Sequence, residues 1–281
     1  MAKPDFRGAR GSNTGDSFHE LWALRESLRL LDVRSPLRAL TVEGVLEEEP
    51  GNGQADQWEG VDCGLYYGGE TIEAAVGVEL VQLKYSSANP DSLWTVANLI
   101  ESSGKKTNNS VIRRLAGAFV SAMNKRPGHN LNTLTIRLAT NRPVAAAVLD
   151  AIEFGKKGAT SSKRKPRQTH TTDNQDSAKL QKASGLDAST FQSFCRALSI
   201  EGRSSSRFAL QEQLIRSTSS WIGDDARTQI NTLLQFVRNR MMPEEAGRPI
   251  NRESILAQFG LSELKALFPC PPNIKKIVSA T

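Results

Sequence analysis

Hydrophobic positions along the chain follow two rhythms. From Ser17 to about Arg34, Phe18, Leu21, Leu24, Leu28 and Leu31 recur at helical spacing and predict a first helix. Leu37 to Gly44 then alternates, with Leu40 and Val42 on one face and Thr41 and Glu43 on the other, which predicts a strand. Trp58 to Tyr67 and Val78 to Ser86 read as two further strands, the Tyr66-Tyr67-Gly68-Gly69 stretch turning the chain between them. Helices are expected over Asp91 to Ser103 and Asn109 to Arg126, the second carrying the stripe Val111, Ile112, Leu115, Phe119 and Met123. A strand from Leu134 to Thr140 and a helix from Val144 to Phe154 complete this half.

Beyond Leu186 the pattern is wholly helical. Asp187 caps a helix with Phe191, Phe194 and Leu198, a second spans about Ser206 to Ile222, and Ile230, Leu233, Leu234, Val237 and Met241 mark a third. Asn251 to Phe259 is the last, stopped by Gly260. The predicted fold class is therefore α/β (α+β mixed): a central sheet flanked by helices over residues 1–155, a basic flexible linker or loop over 156–184, and an all-helical part over 185–281.

Charge sharpens the division. The formal net charge is +6, and between Gly155 and His170 stand Lys156, Lys157, Lys163, Arg164, Lys165 and Arg167 with no acid among them. Those six account for the whole excess, so the basic character belongs to one Gly/Ser/Lys-rich loop, a solvated segment that can also grip phosphates. Lys105, Lys106, Arg113 and Arg114 are further candidates for a nucleic-acid backbone, or simply a solvated helix end. Gly104-Lys105-Lys106-Thr107 is not a P-loop: the upstream glycine is missing and a helix, not a strand, precedes it.

Several classes are disfavoured. No stretch approaches the roughly 20 apolar residues of a membrane span. Met1 to Asp16 is basic and Gly-rich without the apolar core of an export signal, and Cys63, Cys195 and Cys270 are too few and too scattered for a disulfide framework or a zinc site. A reducing cytoplasm is the expected setting. His19, His129 and His170 are far apart in sequence, and His19 falls on the polar side of the first helix, so no role is assigned to them.

Candidate chemistry comes from polar groups set in or beside strands. In Val78 to Ser86, Leu80, Gln82 and Lys84 share one face, an arrangement that a buried strand does not need and that is costly without partners. Asp62 sits between Val61 and Cys63, and Glu43 ends the first strand. Oxygen donors on neighbouring strands suit a hard cation such as Mg²⁺, which polarises a phosphate oxygen and acidifies a water that a nearby lysine orients. Glu20, at the edge of the first helical stripe, either joins this set or closes a capping box with Ser17.

The order of an acid-ended strand, an Asp in the next strand and then Gln82-x-Lys84 resembles the PD-(D/E)xK restriction-endonuclease-like superfamily. More closely it resembles nuclease domains at the N-terminus of bacterial anti-phage effectors, including STAND NTPases and cyclic-oligonucleotide-activated (CBASS) nucleases. Those domains open with a Gly-x-x-Phe-like helix, matched by Gly15 to Leu24, and continue through a Thr-Asn-Arg turn, matched by Thr140-Asn141-Arg142-Pro143. The resemblance covers Gly15 to Pro143. Gln82 stands where the superfamily usually has an acid, which removes one negative charge from the site.

The resemblance implies a Mg²⁺-dependent DNA endonuclease, with Mn²⁺ as an alternative ion. Asp62 would be the main metal ligand, Glu43 and Gln82 would assist, Lys84 would position the water, and Glu20 would support the shell. It implies double-stranded DNA as substrate, a homo-oligomer to cut both strands, and fusion or binding to an NTPase and sensor module. The other expectation is a non-catalytic module that keeps the fold to bind DNA or to oligomerise.

Overall fold

In the computed structural model, which describes residues 7–45, 58, 60–102, 109–158, 170–222, 225–245 and 247–259, the chain opens with α1 (Arg7–Leu28). There follow β1 (Leu37–Val42), β2 (Cys63–Tyr67), β3 (Gly77–Lys84), α2 (Val96–Ile100), α3 (Val111–Lys125), β4 (Leu134–Thr140) and α4 (Ala146–Lys157). The rest is α5 (His170–Ser184), α6 (Ala188–Ala197), β5 (Leu198–Glu201), α7 (Arg207–Ile222), α8 (Ala226–Arg240), β6 (Ile250–Asn251) and α9 (Arg252–Gln258).

Alternation along the strands creates three layers, because successive side chains point to opposite faces of the sheet. Val78, Leu80, Ile136 and Leu138 pack with Ile112, Leu115, Phe119, Val148 and Phe194 from α3, α4 and α6. Leu40, Val42, Leu65, Val81 and Leu83 pack on the other side with Phe18, Leu24, Leu214, Leu233 and Val237 from α1, α7 and α8. The sheet has six strands in the order β5-β4-β3-β2-β1-β6. β1, β2 and β3 form an antiparallel meander, while β3, β4 and β5 run parallel. This is the mixed α/β architecture the sequence pattern predicts.

Three expectations change. The C-terminal part is not wholly helical: β5 pairs with β4, and β6 pairs with β1 through Leu40↔Ile250, so each outer strand of the sheet comes from beyond Leu186. Leu198 continues the spacing of Phe191 and Phe194 and so reads as helix, but the backbone becomes extended at Leu198. Within the stretch 156–184 expected as a flexible linker, Lys156 and Lys157 form the last turn of α4, and residues 170–184 are α5, with Leu180 buried. Lys163, Arg164, Lys165 and Arg167 lie outside the described residues, as do Lys105, Lys106 and Cys270. Finally, α1 begins ten residues before Ser17, so Ser17 is interior to the helix and closes no capping box.

The β2–β3 connection is held from within. Arg126, 2% exposed, donates to the carbonyls of Ile72 (2.7 Å), Ala75 (2.8 Å) and Val76 (3.2 Å) and to Thr133 Oγ1 (3.1 Å). A buried guanidinium satisfied by carbonyls fixes the turn that feeds β3. Among the described residues, no helix is long and apolar enough to cross a membrane.

Candidate functional site

The site forms where β1, β2 and β3 meet at one end of the sheet. Glu43 follows the last residue of β1 and adopts φ +53°, the left-handed region that a residue with a Cβ enters only when its surroundings hold it there. Those surroundings are visible. Glu43 N–H donates to the Asp62 carbonyl (2.8 Å), and Thr41 Oγ1 donates to the Gly44 carbonyl (2.7 Å). Asp62 lies just before β2 rather than inside it. Its N–H donates to the Val81 carbonyl (2.9 Å), and its Oδ2 accepts from Leu83 N–H (2.5 Å). The carboxylate thus takes over as acceptor where the regular ladder stops, and it is fixed between β1 and β3.

A third group arrives from α1. His19 Nδ1 lies 3.8 Å from Glu43 Oε1, too far for a direct hydrogen bond but close enough for strong attraction. One ligand atom from each of His19, Glu43 and Asp62 falls within 4.8 Å of the other two. The neighbouring Phe18 stacks on Tyr85 with ring centroids 4.9 Å apart, which locks α1 against the exit of β3. Sequence reasoning assigned His19 no role. The signal was present in Trp22 and Ala23, 1% and 0% exposed: adding them to the stripe puts His19 three and four residues before two core positions, on the buried margin.

The electrostatics couple these groups. Burial raises the Asp62 carboxyl above the usual carboxylate range, although His19, Lys84 and the Leu83 N–H all favour its charged form. Asp62 keeps some accessible surface, yet protein atoms surround the carboxylate densely enough for desolvation to prevail. Burial also pulls His19 down, but the pull of Glu43 and the charge of Asp62 outweigh it, and the imidazole ends above its ordinary value. Lys84 is lowered by burial and by Arg114, against the attraction of Asp62 and Glu43. Arg114 comes from α3, which packs so tightly on the turn before Asp62 that a Cβ on Gly60 would sit 2.7 Å from Arg114 Cβ.

Gln82 supplies the most informative atom. It is 1% exposed and lies on β3 one residue beyond Val81, the last β3 partner of β2 and the residue whose carbonyl accepts from Asp62 N–H. Its Oε1 has no hydrogen-bond partner among the described residues. An unsatisfied buried carbonyl is expensive, which makes Gln82 a candidate donor to a bound group.

Other residues singled out in the sequence lie elsewhere. Glu20 is turned to Arg238 on α8, its two oxygens accepting at 2.7 and 2.8 Å, so it neither caps α1 nor joins the cluster. Arg113 donates to the Ser184 carbonyl at the end of α5 (2.9 Å), which ties α3 to α5. Lys156 pairs with Glu153 on the exposed side of α4. The Thr140-Asn141-Arg142-Pro143 turn does not cap α4, whose N-cap Ala145 makes no side-chain bond. Asn141 instead accepts from Ser86 N–H (2.8 Å) and donates to the Ser86 carbonyl (2.9 Å), while Arg142 lies over the Trp94 ring and donates to the Ser92 and Leu93 carbonyls. The turn thus fastens the loop that leaves β3.

Two carboxylates and an imidazole whose ligand atoms lie within 4.8 Å of one another are a donor set that fits a divalent cation. Fold and cluster together define a mixed-sheet α/β protein with a candidate cation site at the end of its antiparallel meander. No family model matches the chain, and no curated protein matches it. Solved structures that superpose on it include the Acinetobacter baumannii Cap4 SAVED/CARF-domain containing receptor, at TM-score 0.43 and 10% identity over 92% of this chain and 47% of that one. The same receptor with the cyclic trinucleotide 3'3'3'-cAAA gives 0.42 and 10% over 92% and 45%, and with 2'3'3'-cAAA 0.42 and 11% over 85% and 43%. This chain spans less than half the length of those chains. A likeness so loose leaves the reading of function to the side chains.

Proposed function

We propose that the chain is a divalent-cation-dependent endodeoxyribonuclease of the PD-(D/E)xK type, serving as the effector domain of a bacterial anti-phage defence protein. The observation that carries the chemistry is the electrostatic coupling of Glu43, Asp62 and Lys84 at one end of the sheet, with the unsatisfied Gln82 oxygen two residues before Lys84 on the same strand. The defence context rests on the order of motifs between Gly15 and Pro143 that resembles such effectors.

In this reading Asp62 and Glu43 hold the cation and Gln82 adds a neutral oxygen. A cation bound there supplies the positive charge that polarises a phosphate oxygen. Lys84 holds the attacking water in line with the phosphorus and, with Arg114, offsets the charge that builds up on the phosphoryl oxygens. The water gives up a proton to solvent as its oxygen bonds to phosphorus, a P–O ester bond breaks, and the departing sugar oxygen takes up a proton from solvent. The basic residues between Lys156 and Arg167 hold the DNA backbone and choose no sequence. Cutting both strands with one such site per chain calls for at least two copies, and an NTPase and sensor module would gather them.

The test is cleavage of supercoiled plasmid with Mg²⁺ or Mn²⁺ by the wild type, Asp62→Ala and Lys84→Ala. Loss of cutting in both variants, with unchanged far-UV circular dichroism, supports the proposal; undiminished cutting in both overturns it. A non-catalytic module on the same fold is the competing reading, favoured by the missing acid at Gln82, and it expects binding of DNA with no cutting by the wild type.

A further inference from the structure

The donor set at the end of the meander is not the all-oxygen set that Mg²⁺ prefers. We infer that His19 is a direct ligand of the metal, and that the site selects a first-row transition cation of the Mn²⁺ class over Mg²⁺. This rests on the proposed cation site but says something that the proposal does not: which ion it takes, and through which atom.

Three observations carry it. The ligand atoms of His19, Glu43 and Asp62 lie within 4.8 Å of one another, yet His19 Nδ1 stands 3.8 Å from Glu43 Oε1. A histidine that served only to pair with Glu43 would close to hydrogen-bond distance, near 3 Å. That spacing is compatible with donors that share one cation. Second, each residue of the set is held by a backbone or neighbouring-ring contact, and Asp62 also through Oδ2 to Leu83 N–H. His19 is on a helix pinned by the Phe18–Tyr85 stack, Glu43 by its backbone bond to Asp62, and Asp62 by its N–H bond to Val81. Third, the Gln82 oxygen, buried and unsatisfied, lies on β3 one residue past Val81, whose carbonyl accepts from Asp62 N–H, and is a candidate fourth donor. One nitrogen and two oxygens, with Gln82 able to add a third, form a mixed set.

The chemistry of that set decides the ion. Mg²⁺ demands oxygen in near-ideal octahedral geometry and gives up water reluctantly, whereas imidazole nitrogen suits the transition metals, whose affinities exceed those of the alkaline earths at mixed sites. The replacement of an acid by Gln82 works in the same direction. It removes negative charge, on which Mg²⁺ binding depends most, and leaves the nitrogen as a larger share of the donor strength.

The experiment uses the whole chain, stripped of metal, titrated with Mn²⁺ and followed by electron paramagnetic resonance, with Mg²⁺ as competitor. The proteins are wild type, His19→Ala and His19→Gln, and thermal melting confirms that each is folded. The wild type should bind Mn²⁺ at least about tenfold more tightly than Mg²⁺, and His19→Ala should lose about tenfold in Mn²⁺ affinity while changing less than about twofold for Mg²⁺. His19→Gln, which keeps the bulk and offers oxygen, covers the case in which the alanine variant fails to fold, and should show the same lost preference. Hyperfine coupling of ¹⁴N to the bound Mn²⁺ should appear in the wild type and vanish in both variants. Equal affinities for the two ions in the wild type, or a preference that survives in the folded variants, overturns the inference. Because nothing here reads cleavage, the outcomes separate. Nitrogen-coupled Mn²⁺ in a protein that cuts no DNA keeps this inference and removes the nuclease; cutting with no nitrogen coupling does the reverse.

Discussion

Glu20 on α1 and Arg238 on α8 are joined by two side-by-side hydrogen bonds of 2.7 and 2.8 Å across 218 residues of sequence. The carboxylate is buried and the guanidinium half-exposed, a bidentate pair that fastens the C-terminal helices to the helix carrying His19. Removing the arginine leaves a charge stranded at the edge of the core. We expect Arg238→Ala to cost about 1–3 kcal/mol in urea unfolding, because exposure of the guanidinium moderates the penalty for breaking a fully buried pair. Glu20→Gln should cost less and leave Mn²⁺ affinity unchanged. A Glu20→Gln protein that melts normally but binds metal poorly would return Glu20 to the cation site.

Asp62 sets stability against function. Its carboxyl titrates above the ordinary 3.8 because burial disfavours the anion, so above that value the unfolded chain ionises more readily than the folded one. The folded state therefore loses stability as pH rises from the ordinary carboxylate value through the raised one. Asp62→Asn removes this penalty and can still accept from Leu83 N–H through its amide oxygen. The comparison belongs near pH 8.5, on the alkaline side, where the charged form of the raised His19 is least populated and the loss of its partner matters least. In metal-free buffer Asp62→Asn should melt no lower than wild type there, and the difference should narrow as pH falls toward the ordinary carboxylate value. Added Mn²⁺ should reverse the order, since only the wild type gains binding free energy. A variant that melts several degrees lower without metal contradicts the account.

Much of this was legible in the residues. The alternation of Leu40 with Thr41, and of Leu80 with Val81, assigns each to its proper face, and the stripe from Ile230 to Val237 assigns α8, because burial on one side leaves a period in the sequence. The strands Ile250–Asn251 and Leu198–Glu201 were not legible: two or four residues are too few for a period, and pairing with β1 or β4 is a tertiary event. α5 was hidden by composition, its polar run from His170 to Gln175 reading as loop, though Leu180 anchors it. Glu43, Asp62, Gln82 and Lys84 stood out as polar groups in apolar strands. His19 did not, since one histidine on a helix carries no pattern until the strands that face it are known.

Asn141 and Ser86 exchange two hydrogen bonds between the end of β4 and the residue two past Lys84. We expect Asn141→Ala to destabilise the chain by about 1–2 kcal/mol and to speed amide exchange over residues 85–94, as the loop leaving β3 loses its latch. Plasmid cutting should fall with it, because Lys84 depends on that backbone for its place. Unchanged exchange over those residues would mean that Arg142, through Ser92 and Leu93, is a sufficient anchor.

The thiols offer a check on the core that is independent of metal and DNA. Burial pushes Cys195 up to about 12, and Cys63 is driven well above its ordinary value with Asp62 and Glu43 adding to the effect. Only the thiolate is nucleophilic, so neither cysteine should be alkylated by iodoacetamide at about pH 8 in the folded protein. Both should react in urea. Peptide mass spectrometry reads the two sites separately, and rapid native labelling of Cys63 would place the end of β2 outside the core.

In the proposed function the basic segment acts through charge alone, and that fixes how the proposal should be tested. Deleting residues 159–169 removes Lys163, Arg164, Lys165 and Arg167 but spares Lys156 and Lys157 in the last turn of α4. If each of the four neutralises one phosphate, the slope of log affinity against log salt should flatten by about 3–4 units, since each contact releases close to one condensed counterion. Fluorescence anisotropy with a labelled duplex and the Asp62→Asn background measures this without cutting. Affinity at low salt should drop while any preference among duplex sequences stays the same, because phosphates carry no base information. A slope that does not move means that these four charges face solvent and that DNA is held by Lys84 and Arg114 at the end of the sheet.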